Sequence, residues 1–183
     1  MADCYPYRIA TRRGEVILIW LPGEGDDPDA LAVDDRGRLL VFDDLDTLRD
    51  HCDSNGWDLV REDEDTLDLG VVRRWVAHPA HGRVSAGLLL EAWNFFDDLA
   101  HSLDVFPPLP SRGPLQDAAY EKIFGGEALE PTAGDGAWTD EETGAVRELL
   151  RVGLKLWDEA AKATLCGRPA ADDHSSTQAR ATA

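Results

Sequence analysis

The sequence predicts an α+β protein, an antiparallel β-meander of four to five strands with one helix, packed against a C-terminal helical half. Two observations carry this. Before about residue 61, short apolar runs alternate with Gly-containing turns, the signature of hairpins. Beyond residue 66, apolar side chains recur at helical spacing behind Ser and Thr residues suited to cap helices. With 43% hydrophobic residues and six Trp, the chain can bury a sizeable core.

The elements follow in order. Strands at 7–11 and 15–21 flank Arg12-Arg13-Gly14, a three-residue turn with Gly at the left-handed position. The run Val16-Ile17-Leu18-Ile19-Trp20 is wholly apolar, so this strand is central and covered on both faces. A second hairpin, 30–34 with 38–42, turns at Asp35-Arg36-Gly37. A helix over 44–54 takes Asp43 or Asp44 as its cap, buries Leu45, Leu48 and Cys52, and stops at Asn55-Gly56. Residues 57–61 return as a short strand.

The helical half begins with Thr66 as the cap of a short helix carrying Leu69, Val72, Trp75 and Val76, ended by Pro79. Ser85 caps a longer helix to about Asp104 with a wide apolar face. The proline-rich stretch 105–114 is a loop, and 118–124 is one or two helical turns. Thr139 and Glu142 form a capping box for the last helix. This divides the chain into a β-rich acidic half (1–65), a helical half (66–165) that packs with it as one compact domain, and a disordered tail (166–183).

Charge is the strongest functional signal. Seventeen acids and only four bases lie between Glu24 and Asp68, net −13 in 45 residues of a chain whose total is −18. Such a field repels anions and attracts cationic surfaces. Nucleic acid is disfavoured as a direct ligand, and so is an anionic membrane surface. No apolar run is long enough to span a bilayer, and no signal peptide is apparent. Three widely spaced cysteines, Cys4, Cys52 and Cys166, form no disulfide framework, so the expected compartment is the cytoplasm. Arg outnumbers Lys by 15 to 3, a usage that matches GC-rich bacterial coding.

Specific chemistry is harder to find. The calcium-loop pattern aligns on His51, Asp53, Asn55, Gly56 and Glu62, but His is a poor ligand for a hard cation and Asn55-Gly56 is explained as a helix stop. His78 and His81, with His101 and Asp97 or Asp98, are a weak zinc set, since Pro79 prevents a helical His pair. Ser85 lacks the spacing of a nucleophile elbow, and phosphate-binding Gly motifs are missing, so no cofactor or metal is expected. Trp75, Trp93, Phe95, Phe96 and Trp157 fall at helical spacing and read as core rather than as a ligand pocket.

The expectation is therefore a non-enzymatic acidic protein that docks on and masks a basic protein partner, as an immunity protein or antitoxin does. Asp34, Asp35, Asp43, Asp44, Asp46, Asp50 and Asp53 are the expected contacts, with Trp57 as an aromatic anchor. The alternative is a small hydrolase or ligand-binding protein with a pocket between sheet and helices, built on Glu91, Asp97, Asp98 and His101.

Overall fold

The computed structural model describes residues 3–25, 27–60, 66–78, 84–105, 113–124 and 138–167. Asp26, the acids at 62–65, His81, most of the proline-rich loop and residues 168–183 of the tail expected from 166 lie outside them, while residues 166 and 167 belong to the last helix. The described residues form a five-stranded mixed sheet and five helices. The strands are β1 (Asp3–Thr11), β2 (Gly14–Leu21), β3 (Ala30–Leu31), β4 (Asp58–Leu59) and β5 (Thr66–Asp68). The helices are α1 (Leu45–Asn55), α2 (Leu69–Ala77), α3 (Ala86–Ser102), α4 (Pro114–Phe124) and α5 (Asp140–Gly167).

The α+β class holds, but the sheet is not purely antiparallel. The order is β3-β2-β1-β4, with β5 also on β1. β1 and β2 form an antiparallel hairpin in which Thr11 pairs with Gly14. The turn is thus the two residues Arg12-Arg13, and Gly14 adopts a φ of 130° that side chains disfavour. β4 and β5 both run parallel to β1. The physical reason lies in the connection. A hairpin reverses the chain, whereas a helical crossover such as α1 brings the next strand back in the original direction. Local sequence signals do not encode that choice.

A second correction concerns Thr66. It opens a strand, not a helix. Leu67 is fully buried between half-exposed Thr66 and Asp68, the alternation of a strand, and pairing with β1 draws this segment into the sheet. Asp68 then caps α2 by accepting from the backbone N–H of Val71 at 3.0 Å. The other caps fall where the spacing predicts. Asp44 accepts from Thr47 N–H at 2.7 Å, and Ser85 accepts from Leu88 N–H at 3.1 Å. The Thr139–Glu142 box is reciprocal, each side chain accepting from the other's backbone N–H. Glu142 also meets Lys122 of α4 at 2.8 Å, so the same carboxylate fastens α4 to α5. α3 stops at Ser102, where Leu103 caps it and Asp104 turns to a φ of 50°. α4 begins at Pro114, earlier than its apolar spacing implies.

The apolar β2 strand is covered on both faces. Leu18 joins Ile9, Leu31 and Leu67 in a cluster with Val72, Trp93, Phe95, Phe96, Leu149 and Trp157 from the helices. Ile17 and Ile19 point the other way, into a smaller cluster with Cys4, Ala32, Phe42, Leu48 and Cys52. The sheet therefore lies between α1 on one side and the α2–α3–α5 layer on the other. Tyr7 of β1 stacks on Phe95 of α3, rings 5.5 Å apart. Trp75, Trp93, Phe95, Phe96 and Trp157 are all core. No helix among the described residues is long and apolar enough to cross a membrane.

Candidate functional site: an acidic helix face

α1 is amphipathic in an unusual sense: one side is apolar and the other carboxylate. Leu48 and Cys52 are fully buried against the sheet. Asp46, Asp50 and Asp53, spaced four and three apart, fall within a stripe about 60° wide at 100° per residue. The same spacing turns that stripe roughly 150° from the buried pair, so it faces solvent. All three are exposed, as are Asp43 and Asp44 at the helix start. Arg49 is the one base on this helix, and its guanidinium is held by Asp46 at 2.9 Å.

Helix electrostatics do not account for this arrangement. Asp44 suits the positive amino end, where its carboxylate binds Thr47 N–H and Oγ1. Asp53 lies in the last turn, against the negative end of the helix dipole, and no basic residue offsets it there. Asp46–Asp50 and Asp50–Asp53 are like-charge neighbours along the same stripe. At Asp50 and Asp53, though not at first-turn Asp46, α1 thus carries charge where its own stability would favour neutral or basic side chains.

The structure does not bring all the expected acids to this face. Asp34 is engaged inside its own hairpin. The Arg38 guanidinium meets it at 2.7 Å, and the backbone N–H groups of Arg38 and Arg36 also donate to it. Together they lower its carboxyl from 3.8 to about 2. Its charge is spent locally on closing the turn. Asp35 is exposed beside it. Asp3 and Asp58 oppose each other across the parallel β1–β4 pair, and strand alternation turns them away from the face of Cys4 and α1. Trp57 follows α1 directly and is half-buried, its ring edge-on to His51 at 5.8 Å. His51 in turn lies against Phe42 at 5.3 Å, and both Phe42 and Trp57 belong to the smaller cluster beneath α1. Asp53, Asn55 and Gly56, part of the calcium-loop alignment, are the end and cap of α1.

The alternative residues lie on α3. Glu91 accepts from the Tyr7 hydroxyl at 3.4 Å. Asp98 is two turns further along, half-buried against the Trp20 indole, which donates to it. Asp29, Asp97 and His101 act on the charge of Asp98 through space, whereas Glu91 is remote from it by about 10 Å of helix rise. Among the described residues, no three His, Cys, Asp or Glu side chains gather as a metal site. That Asp29 and Trp20 join this group is not signalled by the sequence, because Asp29 sits in a loop without periodicity.

Burial, then the Asp29 carboxylate, pushes the Asp98 carboxyl up from 3.8 to about 6. The sign of the consequence is fixed by proton uptake. Between those values the folded state binds more protons than the unfolded chain, so stability falls as pH rises through that window. Above it the penalty is complete, about 1 kcal/mol after allowance for solvent screening. Asp98→Asn is therefore expected to raise stability by about that much at neutral pH and by almost nothing near pH 4. Denaturant midpoints at the two pH values decide it. An equal gain at both would show that Asp98 titrates as an ordinary carboxylate.

No family model, curated protein or solved structure matches this chain.

Proposed function

We propose that this protein is a non-enzymatic binding protein that docks on and masks a basic protein partner through the solvent face of α1, as an immunity protein or antitoxin does. One observation carries the reading. Asp46, Asp50 and Asp53 form a single acidic stripe in which each is the like-charge neighbour of the next, and Asp53 also opposes the helix dipole. Solubility alone gives no reason for that placement, since a carboxylate elsewhere on the surface serves solubility equally well. A cationic partner does give one, because complementary fields accelerate encounter and select among partners. Asp43 and Asp44 add exposed carboxylates at the amino end of α1, and Trp57, half-buried just beyond its carboxyl end, is the aromatic anchor. Asp34 is outside the docking set, because it lies in the hairpin before α1 and its carboxylate closes that turn through Arg38.

The test uses the full chain and a variant carrying Asp46→Asn, Asp50→Asn and Asp53→Asn. Both are used as bait in extract of the cells that make the protein, at low and high salt. The expected result is a strongly basic protein, pI above about 9, held by the wild type at low salt and lost with the variant. Equal recovery by the two baits removes α1 from the mechanism.

A second reading, the small hydrolase or ligand-binding protein, draws on one observation. Burial pushes the Asp98 carboxyl up to about 6, toward the range in which a general acid works. Glu91 does not join it, being engaged with Tyr7 two turns away.

A further inference from the structure

Cys4 of β1 and Cys52 of α1 face each other across the interface between helix and sheet. Their sulfurs are 3.5 Å apart, and both residues are fully buried. A lone buried cysteine behaves as a small inert hydrophobe. Two whose sulfurs touch are in a different position, since about 1.5 Å of approach brings them to bonding distance. We propose that Cys4 and Cys52 form a reversible redox pair whose disulfide fastens α1 to the sheet.

The surroundings define how the bond forms. Burial pushes the Cys4 thiol up to about 12 and raises Cys52 as well, so neither is reactive while α1 is seated. α1 rests on the smaller of the two buried clusters, the kind of element that opens locally ahead of the rest. Opening gives a thiol access to water and lets it lose its proton. The thiolate then attacks a small disulfide such as oxidised glutathione, forming a mixed disulfide and releasing one glutathione thiolate, which takes up a proton. As α1 reseats, the second cysteine loses its proton and attacks the protein sulfur of that mixed disulfide. The second glutathione leaves as its thiol. The protein has given up two electrons and two protons, and the small disulfide has received both. Excess reduced thiol runs the sequence backwards. The inference does not depend on what α1 binds.

The experiment takes the full wild-type chain, incubated with oxidised glutathione near pH 8 and then quenched with acid. Peptide mapping is expected to find Cys4 linked to Cys52, with an intact mass lower by two hydrogens. The thermal midpoint should rise by about 5 °C, because the bond closes a long loop, and should return on reduction. Three results each overturn the proposal. The first is both thiols alkylated after unfolding despite prolonged oxidation. The second is Cys166 or glutathione as the bonded partner at equilibrium. The third is a bond that forms without raising the midpoint, which would place it outside the native packing.

Discussion

Gly153→Ala is expected to lower stability by about 3 kcal/mol, although alanine is the better helix former by about 1 kcal/mol. Gly153 lies on α5 where that helix crosses α3. A Cβ added there would sit 2.2 Å from Phe96 Cγ, 2.4 Å from Cδ2 and 2.7 Å from Cβ. Carbon atoms in contact prefer 3.5 to 4.0 Å, so one of the two helices has to move. Phe96 cannot rotate away cheaply. It is fully buried, its own Cβ is among the clashing atoms, and Phe95 packs beside it with rings 5.3 Å apart. The displaced helix also carries Trp93 and Leu99 or Leu149 and Leu150, so the disturbance spreads through the main cluster. A thermal midpoint lower by about 9 °C is the corresponding readout. A midpoint equal to that of wild type would mean the α3–α5 crossing is looser than its packing indicates.

Neutralising the α1 stripe should have the opposite effect on the fold and a large effect on association. With Asp46→Asn, Asp50→Asn and Asp53→Asn, stability should stay level or rise by about 0.5 kcal/mol, because repulsion along the helix and at its negative end disappears. The association rate with the proposed basic partner should fall about tenfold or more at low salt, since the steering field is removed. The wild-type advantage should shrink as salt approaches about 1 M, where the screening length is about 3 Å. Stopped-flow mixing across a salt series measures it, with denaturant melts of the same proteins alongside. A slower rate accompanied by lower stability would point to a damaged fold. A rate unchanged at low salt would remove the stripe from recognition altogether.

Local chemistry was legible in the sequence, and distant pairing was not. Asp44, Ser85 and the Thr139–Glu142 box each cap a helix through a neighbour three residues away, so their signal is complete within one turn of chain. The acidic stripe of α1 is likewise written in the spacing of Asp46, Asp50 and Asp53. The parallel placement of β4 and β5 depends on where α1 returns the chain, and no window of sequence contains that information. Thr66 shows the same conflict: its capping propensity lost to pairing with β1. Asp34 is a nearer miss. Asp34 and Arg38 flank a tight turn at Gly37, and that pattern was sufficient to foresee a carboxylate closing its own hairpin. Cys4 and Cys52 each fall on an inward face by strand or helix period, but their meeting requires the strand order. Asp29 reaches Asp98 only because the loop after β2 folds onto α3.

The sheet separates two interiors of unequal size, the larger beneath α2, α3 and α5 and the smaller beneath α1. Heredity can therefore work on them at different speeds. The outward side of α1 can change residue by residue while the far side of the β-layer holds its architecture constant.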